Sequence, residues 1–227
     1  MLQYIHKDGY LIKEFNKKNL ISFLSIFVIW LFVVSALIGI ALGYEKWFIP
    51  KTPLNLLIGF GLLILNVPVH TKKAVLMLSS AFIIGMLVEI AGVSTGEIFG
   101  NYYYGNNLGI KYLGVPIIIG IYWAVLTISS SMIARKLFRN IWLVSLVGAG
   151  LMVGLDFVME IMAGTYDFWH FEGGHPPLAN YVAWFIVAFF LNLLCFENVE
   201  KGGESFSFHL WFSQLTFFIV SFFLITG

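Results

Sequence analysis

Three carboxylates are the residues of this sequence that could most readily do chemistry. Glu89, Asp156 and Glu160 all lie inside otherwise apolar stretches. A charged side chain costs about 2.5–3.5 kcal/mol at the centre of an inserted helix, so such residues usually mark a functional site. Asp156 and Glu160 are four residues apart and therefore share one helical face. Because two neighbouring carboxylates in a medium of low dielectric cannot both ionise easily, we predict a protonated acid beside an ionised base.

Further titratable residues surround these acids, and the acids themselves have one alternative explanation. Glu97, Asp167 and His175 follow the same apolar stretches and are added as candidates for the site. His170 and His175 are five residues apart and lack the spacing of known His motifs, so we predict no metal. Alternatively, the acids lie near the membrane surface, where they cap a helix or pair with Lys111.

The composition indicates an integral membrane protein, in which membrane-spanning segments must position these acids. Hydrophobic residues make up 59% of the 227 residues and charged residues 11%, whereas a soluble domain carries about 25% charged residues. A net charge of +1 gives no sign of a nucleic-acid partner. The one cysteine, Cys195, excludes an internal disulfide and a cysteine-based zinc cluster.

Apolar runs of sufficient length predict an all-α, polytopic bundle of about seven transmembrane helices. Spanning takes about 20 mostly apolar residues, and no long linker divides the chain, so residues 1–227 are predicted to form a single transmembrane domain. The runs lie near 20–43, 53–69, 74–95, 114–134, 141–163, 177–196 and 207–226. The second run is short and contains Pro68 near its end.

The distribution of basic residues predicts the orientation of the bundle. If the N-terminus is cytoplasmic, ten of the 13 Lys and Arg residues fall on the cytoplasmic side. This bias favours a cytoplasmic N-terminus in the cell (inner) membrane. The loops that follow the third and fifth helices then lie on the non-cytoplasmic side.

Those two loops resemble each other and are rich in Gly and aromatic residues. Residues 94–116 read STGEIFGNYYYGNNLGIKYLGVP, and residues 163–180 read AGTYDFWHFEGGHPPLAN. Each leads to a Pro followed seven residues later by Trp, which indicates a weak internal repeat with a site between its halves. The aromatic side chains form either an interfacial belt or a pocket whose ring faces stabilise a cation. The candidates from this group are Tyr102, Tyr104, Trp123, Trp169 and Trp184.

Both loops, with their flanking helices, resemble the signatures of the CruF-type carotenoid biosynthesis membrane proteins. The stretch EIAGVSTGEIFGNYYYGNNLGIKYLGVPIIIGIYW is similar to the first signature, and DFVMEIMAGTYDFWHFEGGHPPLANYVAW to the second. The resemblance covers roughly residues 75–190. It departs from the family pattern at Glu160-Ile161, where that family has an acid-Pro pair, and at His175-Pro176-Pro177.

The resemblance implies a carotenoid 1,2-hydratase, which adds water to the terminal C1–C2 double bond of an acyclic carotenoid end. Such an enzyme, of the lyase class, needs no cofactor or metal, and its partners are a long isoprenoid substrate and the lipid bilayer. Asp156 and Glu160 are then the central pair, with Glu89 across the site and Asp167 or Glu97 as the base on the water side. Tyr102, Tyr104 and Asn180 are expected to position water; the other expected contacts are Trp123, Trp169, Trp184 and His175.

Three other functions compete with hydration. A lycopene-type cyclase begins with the same protonation but captures the cation with an internal alkene. A small-solute transporter would need a polar route to the cytoplasmic side, which the sequence lacks. A retinal protein would need a lysine deep in a helix, and no lysine lies deep in a predicted span.

Overall fold

The computed structural model describes residues 2–227, with side chains from Lys17 onward. Its helices are α1 (Leu2–Ala41), α2 (Glu45–Phe48), α3 (Thr52–Asn66), α4 (Lys72–Thr95), α5 (Ile117–Leu137), α6 (Ile141–Ala163), α7 (Leu178–Asn198) and α8 (Glu204–Thr226). A 3-10 turn, Ile49–Lys51, joins α2 to α3. The short strands are β1 (Tyr102–Tyr104), β2 (Lys111–Tyr112), β3 (Val115–Pro116) and β4 (Trp169–Phe171).

Seven segments of this described chain are long and apolar enough to cross a membrane. They confirm the predicted polytopic all-α bundle; the cytoplasmic position of the N-terminus stays a prediction. The second segment, Glu45–Asn66, begins earlier and ends earlier than the run at 53–69 suggests. It ends at Asn66 because Val67 precedes Pro68 and is extended (φ −105°, ψ 144°), as a residue before proline prefers.

Helix α5 is the centre of the bundle. In its most apolar window 83% of the residues are buried, against 17–39% in the other six spans. It packs against α3, α4, α6, α7 and α8. These five helices surround α5, α1 packs against α3 and α8, and the outer spans turn most of their apolar surface toward lipid.

Small residues let the helices around the acids approach closely, as is common in membrane bundles. Gly85 on α4 faces Trp123 on α5, where a Cβ atom would lie 2.5 Å from the indole Cγ. Gly148 on α6 faces Asn192 on α7, where a Cβ would lie 2.2 Å from the amide oxygen. Position 85 therefore requires glycine for the observed helix separation, whereas a side chain at position 148 would displace the Asn192 amide.

The two aromatic loops meet at one end of the bundle. Strand β1 pairs antiparallel with β4, with Tyr102 opposite Phe171 and Tyr104 opposite Trp169. Because side chains alternate along a strand, Tyr102 and Tyr104 are buried while Tyr103 is 58% exposed. The pairing thus directs two phenol groups into the bundle.

Candidate active site

The three membrane carboxylates line one small cavity. Glu89 comes from α4, and Asp156 and Glu160 come from consecutive turns of α6. The cavity holds about 30 Å³, which is enough for water, since one molecule needs about 10–15 Å³. Its other walls are Phe99, Tyr102, Tyr104, Ile119, Tyr122, Met159, Trp169, Phe171, Asn180 and Trp184.

Glu89 is held by three hydrogen-bond donors. Its Oε2 accepts from the Tyr102 hydroxyl at 2.6 Å and the Tyr104 hydroxyl at 2.7 Å. Its Oε1 accepts from the Trp123 indole N–H at 3.0 Å. This set of donors matches an ionised carboxylate, which can only accept hydrogen bonds.

The two tyrosines beside Glu89 are fixed in their protonated, donating form. Burial, and then the nearby Glu89 charge, raise the pKa of Tyr102 and of Tyr104 well above the ordinary phenol value. Both phenols therefore stay neutral at any physiological pH and keep donating to Glu89.

Asp156 and Glu160 have fewer partners than Glu89. Asp156 is 3% exposed, and its Oδ2 accepts one long bond of 3.3 Å from the Asn180 amide. Glu160 is half-buried, and its Oε2 accepts from the Trp169 indole N–H at 2.9 Å. The cavity therefore combines one carboxylate that accepts from three side-chain donors with two that each accept from one.

Aromatic rings enclose the acids. Trp123 and Trp184 stack with ring centroids 4.0 Å apart, and Trp169 meets Tyr104 edge to face at 6.3 Å. The negative ring faces of such residues attract a cation.

Glu97, Asp167 and His175 lie away from this cavity. Glu97 and His175 are exposed, and Asp167 helps to join the two loops. The Asp167 carboxylate accepts from the backbone N–H of Asn106 at 2.8 Å and lies 2.9 Å from the His170 ring. These two contacts, the backbone one first, lower the pKa of Asp167. The catalytic roles of all three stay predictions.

Lys111 would pair with one of the acids if they lay near the membrane surface, but its contact in the structure is a different one. Its Nζ donates to the backbone oxygen of Tyr104 at 2.6 Å. None of the three cavity carboxylates forms an ion pair within the part of the chain whose side chains are described. In the same part of the chain, no group of three His, Cys, Asp or Glu residues is arranged to hold a metal ion.

The structure adds a polar pair that the sequence did not single out for the site. The Tyr122 hydroxyl donates to the Gln214 side-chain oxygen at 2.6 Å and lies 3.1 Å from the Met159 sulfur. Gln214 is one of the few long polar side chains within an apolar helix, and that was the available signal.

A second and much larger cavity, of about 470 Å³, adjoins the small cavity lined by the three carboxylates, hereafter the acid cavity. It runs between α1, the α2–α3 segment and α8, and most of its walls are aliphatic or aromatic. Its size is within the range of ligand pockets, about 300–1,000 Å³.

Comparison with known proteins supports a single family. No curated protein and no solved structure matches the chain. The family model described as "Carotenoid biosynthesis protein" matches residues 52–226, which include all three carboxylates and both aromatic loops. The resemblance seen in the sequence is thereby confirmed, and the chain belongs to this family of carotenoid biosynthesis proteins.

Proposed function

We propose that the protein is a cofactor-independent carotenoid hydratase that adds water to the terminal C1–C2 double bond of an acyclic carotenoid end. The observation that carries the proposal is the cavity in which three carboxylates, three tyrosines and two indole rings meet beside a large apolar cavity. Hydration of an alkene needs an acid, a base for water and protection of a cation, and this arrangement offers each of them.

Asp156 is assigned as the proton donor. An ionised carboxylate needs several donors when it is buried, and Asp156 has one, at 3.3 Å. Its protonated form is therefore the one that the surroundings favour. Transfer of this proton to the terminal alkene carbon C2 leaves a tertiary cation at C1 and an Asp156 carboxylate.

Glu160 is assigned as the base that activates water. It is half-buried, lies one turn from Asp156, and is oriented by the Trp169 indole at 2.9 Å. Water attacks C1 and gives its proton to Glu160, which forms the tertiary alcohol. Return of a proton from Glu160 to Asp156 restores the starting state, so the net reaction consumes one alkene and one water.

Glu89 is assigned as the fixed negative charge opposite the cation. Its three donors hold it in place before the reaction begins, and preorganised charge is often the largest contribution to catalysis. The stacked Trp123 and Trp184 extend the electron-rich wall beside it. Asn180, which donates to Asp156, positions that acid rather than water in this scheme.

The size of the acid cavity favours hydration over cyclisation. A space of about 30 Å³ has room for a water molecule, which needs about 10–15 Å³, but little room for the chain folded back on itself beside the acids that a cyclase requires. The orientation of the bundle is part of the proposal: from the Lys and Arg bias, the aromatic loops lie on the non-cytoplasmic side of the cell membrane. Labelling of Glu172→Cys by an impermeant thiol reagent in intact cells tests that side, since Cys195 is buried.

The decisive experiment is expression in bacteria that accumulate lycopene, and in bacteria that accumulate gamma-carotene, followed by chromatography and mass spectrometry of the pigments. A product heavier by one water supports a hydratase. Its loss in Asp156→Asn and its retention in Glu172→Gln, an exposed loop carboxylate at the same end, would support the assigned acid. A new product of unchanged mass would replace the hydratase with a cyclase. No new pigment despite membrane insertion would remove both reactions for these two pigments and favour a transporter or a different isoprenoid substrate.

A further inference from the structure

The large apolar cavity and the acid cavity share part of their walls. Four residues line both: Ile119, Tyr122, Met159 and Trp169. We infer that the larger cavity is a binding groove for the isoprenoid chain of the substrate, which enters from the lipid between α1 and α3 and places one end at the acids. This inference rests on the proposed function, which identifies the reacting end of the substrate. It adds the path by which the substrate reaches the acids and the number of substrate ends bound at one time.

The chemistry of the groove fits a hydrocarbon chain. Its walls are largely Leu, Ile, Val, Phe and Trp side chains of α1, α3 and α8. The polar groups along it are mostly engaged: Gln214 accepts from Tyr122 at 2.6 Å, and Ser213 donates to the backbone oxygen of Leu210 at 2.9 Å. Lys51 donates to the Trp47 backbone at 2.9 Å and lies 3.6 Å from the centre of its ring.

One side of the groove opens on the lipid-facing surface. Leu31 and Phe32 on α1 are 50% and 41% exposed, and Trp47 and Leu54 on the α2–α3 segment are 57% and 56% exposed, although all four line the groove. Both segments belong to predicted membrane spans. A water-insoluble chain can therefore pass from the bilayer to the acids without crossing water.

The Tyr122–Gln214 pair lies where the groove meets the acid cavity. Tyr122 lines both spaces, whereas Gln214 lines the groove alone. A chain that reaches the acids passes this pair and Met159, whose sulfur is 3.1 Å from the Tyr122 hydroxyl. The three acids line only the acid cavity and not the groove, so a chain bound in the groove presents one end to them at a time.

Cysteine protection tests the groove without relying on catalysis. The native Cys195 is fully buried, so an introduced cysteine is the reactive one. Ser35→Cys lies in the groove, and Ser79→Cys lies exposed on α4, away from it. Each is made in the Asp156→Asn chain, purified in lipid nanodiscs and treated with an apolar maleimide, with and without lycopene.

The groove predicts protection at one position only. Labelling of Ser35→Cys should slow about tenfold with lycopene at roughly ten times its Kd, because labelling needs the empty groove. Labelling of Ser79→Cys should not change. Equal rates with and without lycopene at Ser35→Cys, or equal slowing at both positions, would overturn the inference. Protection of Ser35→Cys by lycopene, with no hydration of lycopene by the parent chain, would support the groove and refute the hydratase. Hydration by the parent chain without protection of Ser35→Cys would support the hydratase and refute the groove.

A blocking substitution provides a second measurement. Ala36→Phe places a ring in the groove, whereas Ala41→Phe makes the same change at an exposed position of α1 outside it. Lycopene retained per purified protein should fall about tenfold in Ala36→Phe because the ring takes space that the bound chain would fill, and the complex would be overpacked. It should stay at the parent level in Ala41→Phe. Unchanged retention in Ala36→Phe, in protein with an unchanged Tm, would also refute the groove.

Discussion

Replacement of Asp156 by asparagine removes a proton donor while leaving the shape of the side chain nearly unchanged. The new amide oxygen can still accept from Asn180, so the 3.3 Å contact survives. Burial of a carboxyl group with one long hydrogen bond carries a desolvation cost, so we expect Tm to stay the same or rise. Any loss of activity then reports chemistry rather than unfolding.

The expected loss is about 10³-fold in turnover. General acid catalysis contributes about 10²–10⁴-fold, which is about 3–5 kcal/mol at 1.36 kcal/mol per factor of ten. The burial of Asp156, at 3% exposed, favours the upper part of this range because bulk water cannot replace the acid. Glu160, one turn away, can supply a proton more slowly, which favours the lower part.

Turnover is measured with excess lycopene in nanodiscs, from the pigment that gains one water. Glu160→Gln and the double variant are measured beside Asp156→Asn, because two groups that act as a unit lose activity non-additively. The double variant should be no more than about tenfold slower than the slower single variant if the pair exchanges one proton. Glu172→Gln, an exposed loop variant, should match the parent.

Turnover of Asp156→Asn within about threefold of the parent would refute the assignment, since such a change is about 0.65 kcal/mol and far below a general-acid contribution. The same refutation would follow if Glu172→Gln lost as much activity as Asp156→Asn. In either case the proton would have to come from another group.

Four further outcomes follow from the geometry. Tyr104→Phe removes a 2.7 Å bond to Glu89, and turnover should fall about 10–100-fold, since a bond to a charged group contributes about 1.5–3 kcal/mol; an unchanged rate would mean that Glu89 is not the counter-charge. Gly85→Ala places a Cβ 2.5 Å from Trp123, so the near-ultraviolet circular dichroism spectrum should change and turnover should fall. A changed spectrum at full activity would argue against a role for the hydrogen bond from Trp123 to Glu89. The pKa of Asp167 is lowered in the folded protein, so its stabilising contribution is complete above the unfolded pKa of about 3.9 and is lost as pH falls through the lower folded pKa. Asp167→Asn should therefore have a lower Tm than the parent at pH 7 and the same Tm in acid. A difference in Tm that did not change with pH would contradict this. Because a chain in the groove presents one end to the acids at a time, a time course with lycopene should show the singly hydrated pigment before the doubly hydrated one, and simultaneous appearance of both would contradict single-end binding.

The transmembrane helices were largely predictable from the sequence because the requirement is local. A segment in lipid must satisfy its backbone polar groups within its own helix, so length and apolar content are enough to find it. The errors occurred where other forces set the ends. Pro68 ended α3 at Asn66, and the pairing of Val115–Pro116 with Lys111–Tyr112 delayed the start of α5 to Ile117.

Part of the candidate site was also predictable. The cost of burying a carboxylate in an apolar helix distinguished Glu89, Asp156 and Glu160 without any tertiary information. Helical periodicity placed Asp156 and Glu160 on one face. The sequence also offered Glu97, which follows α4 and is exposed, because position along the chain does not report the direction of a loop side chain.

The sequence by itself determined the membrane class, the number of spans and the presence of acids within them, because these depend on composition and on contacts within one helix. The tertiary structure decided which groups meet. The β1–β4 pairing turned Tyr102 and Tyr104 toward Glu89, and helix packing brought Gln214 to Tyr122 across 92 residues of chain. The groove is likewise a property of α1, α3 and α8 together. Contacts of this kind depend on how whole helices pack, and no local pattern of residues encodes them.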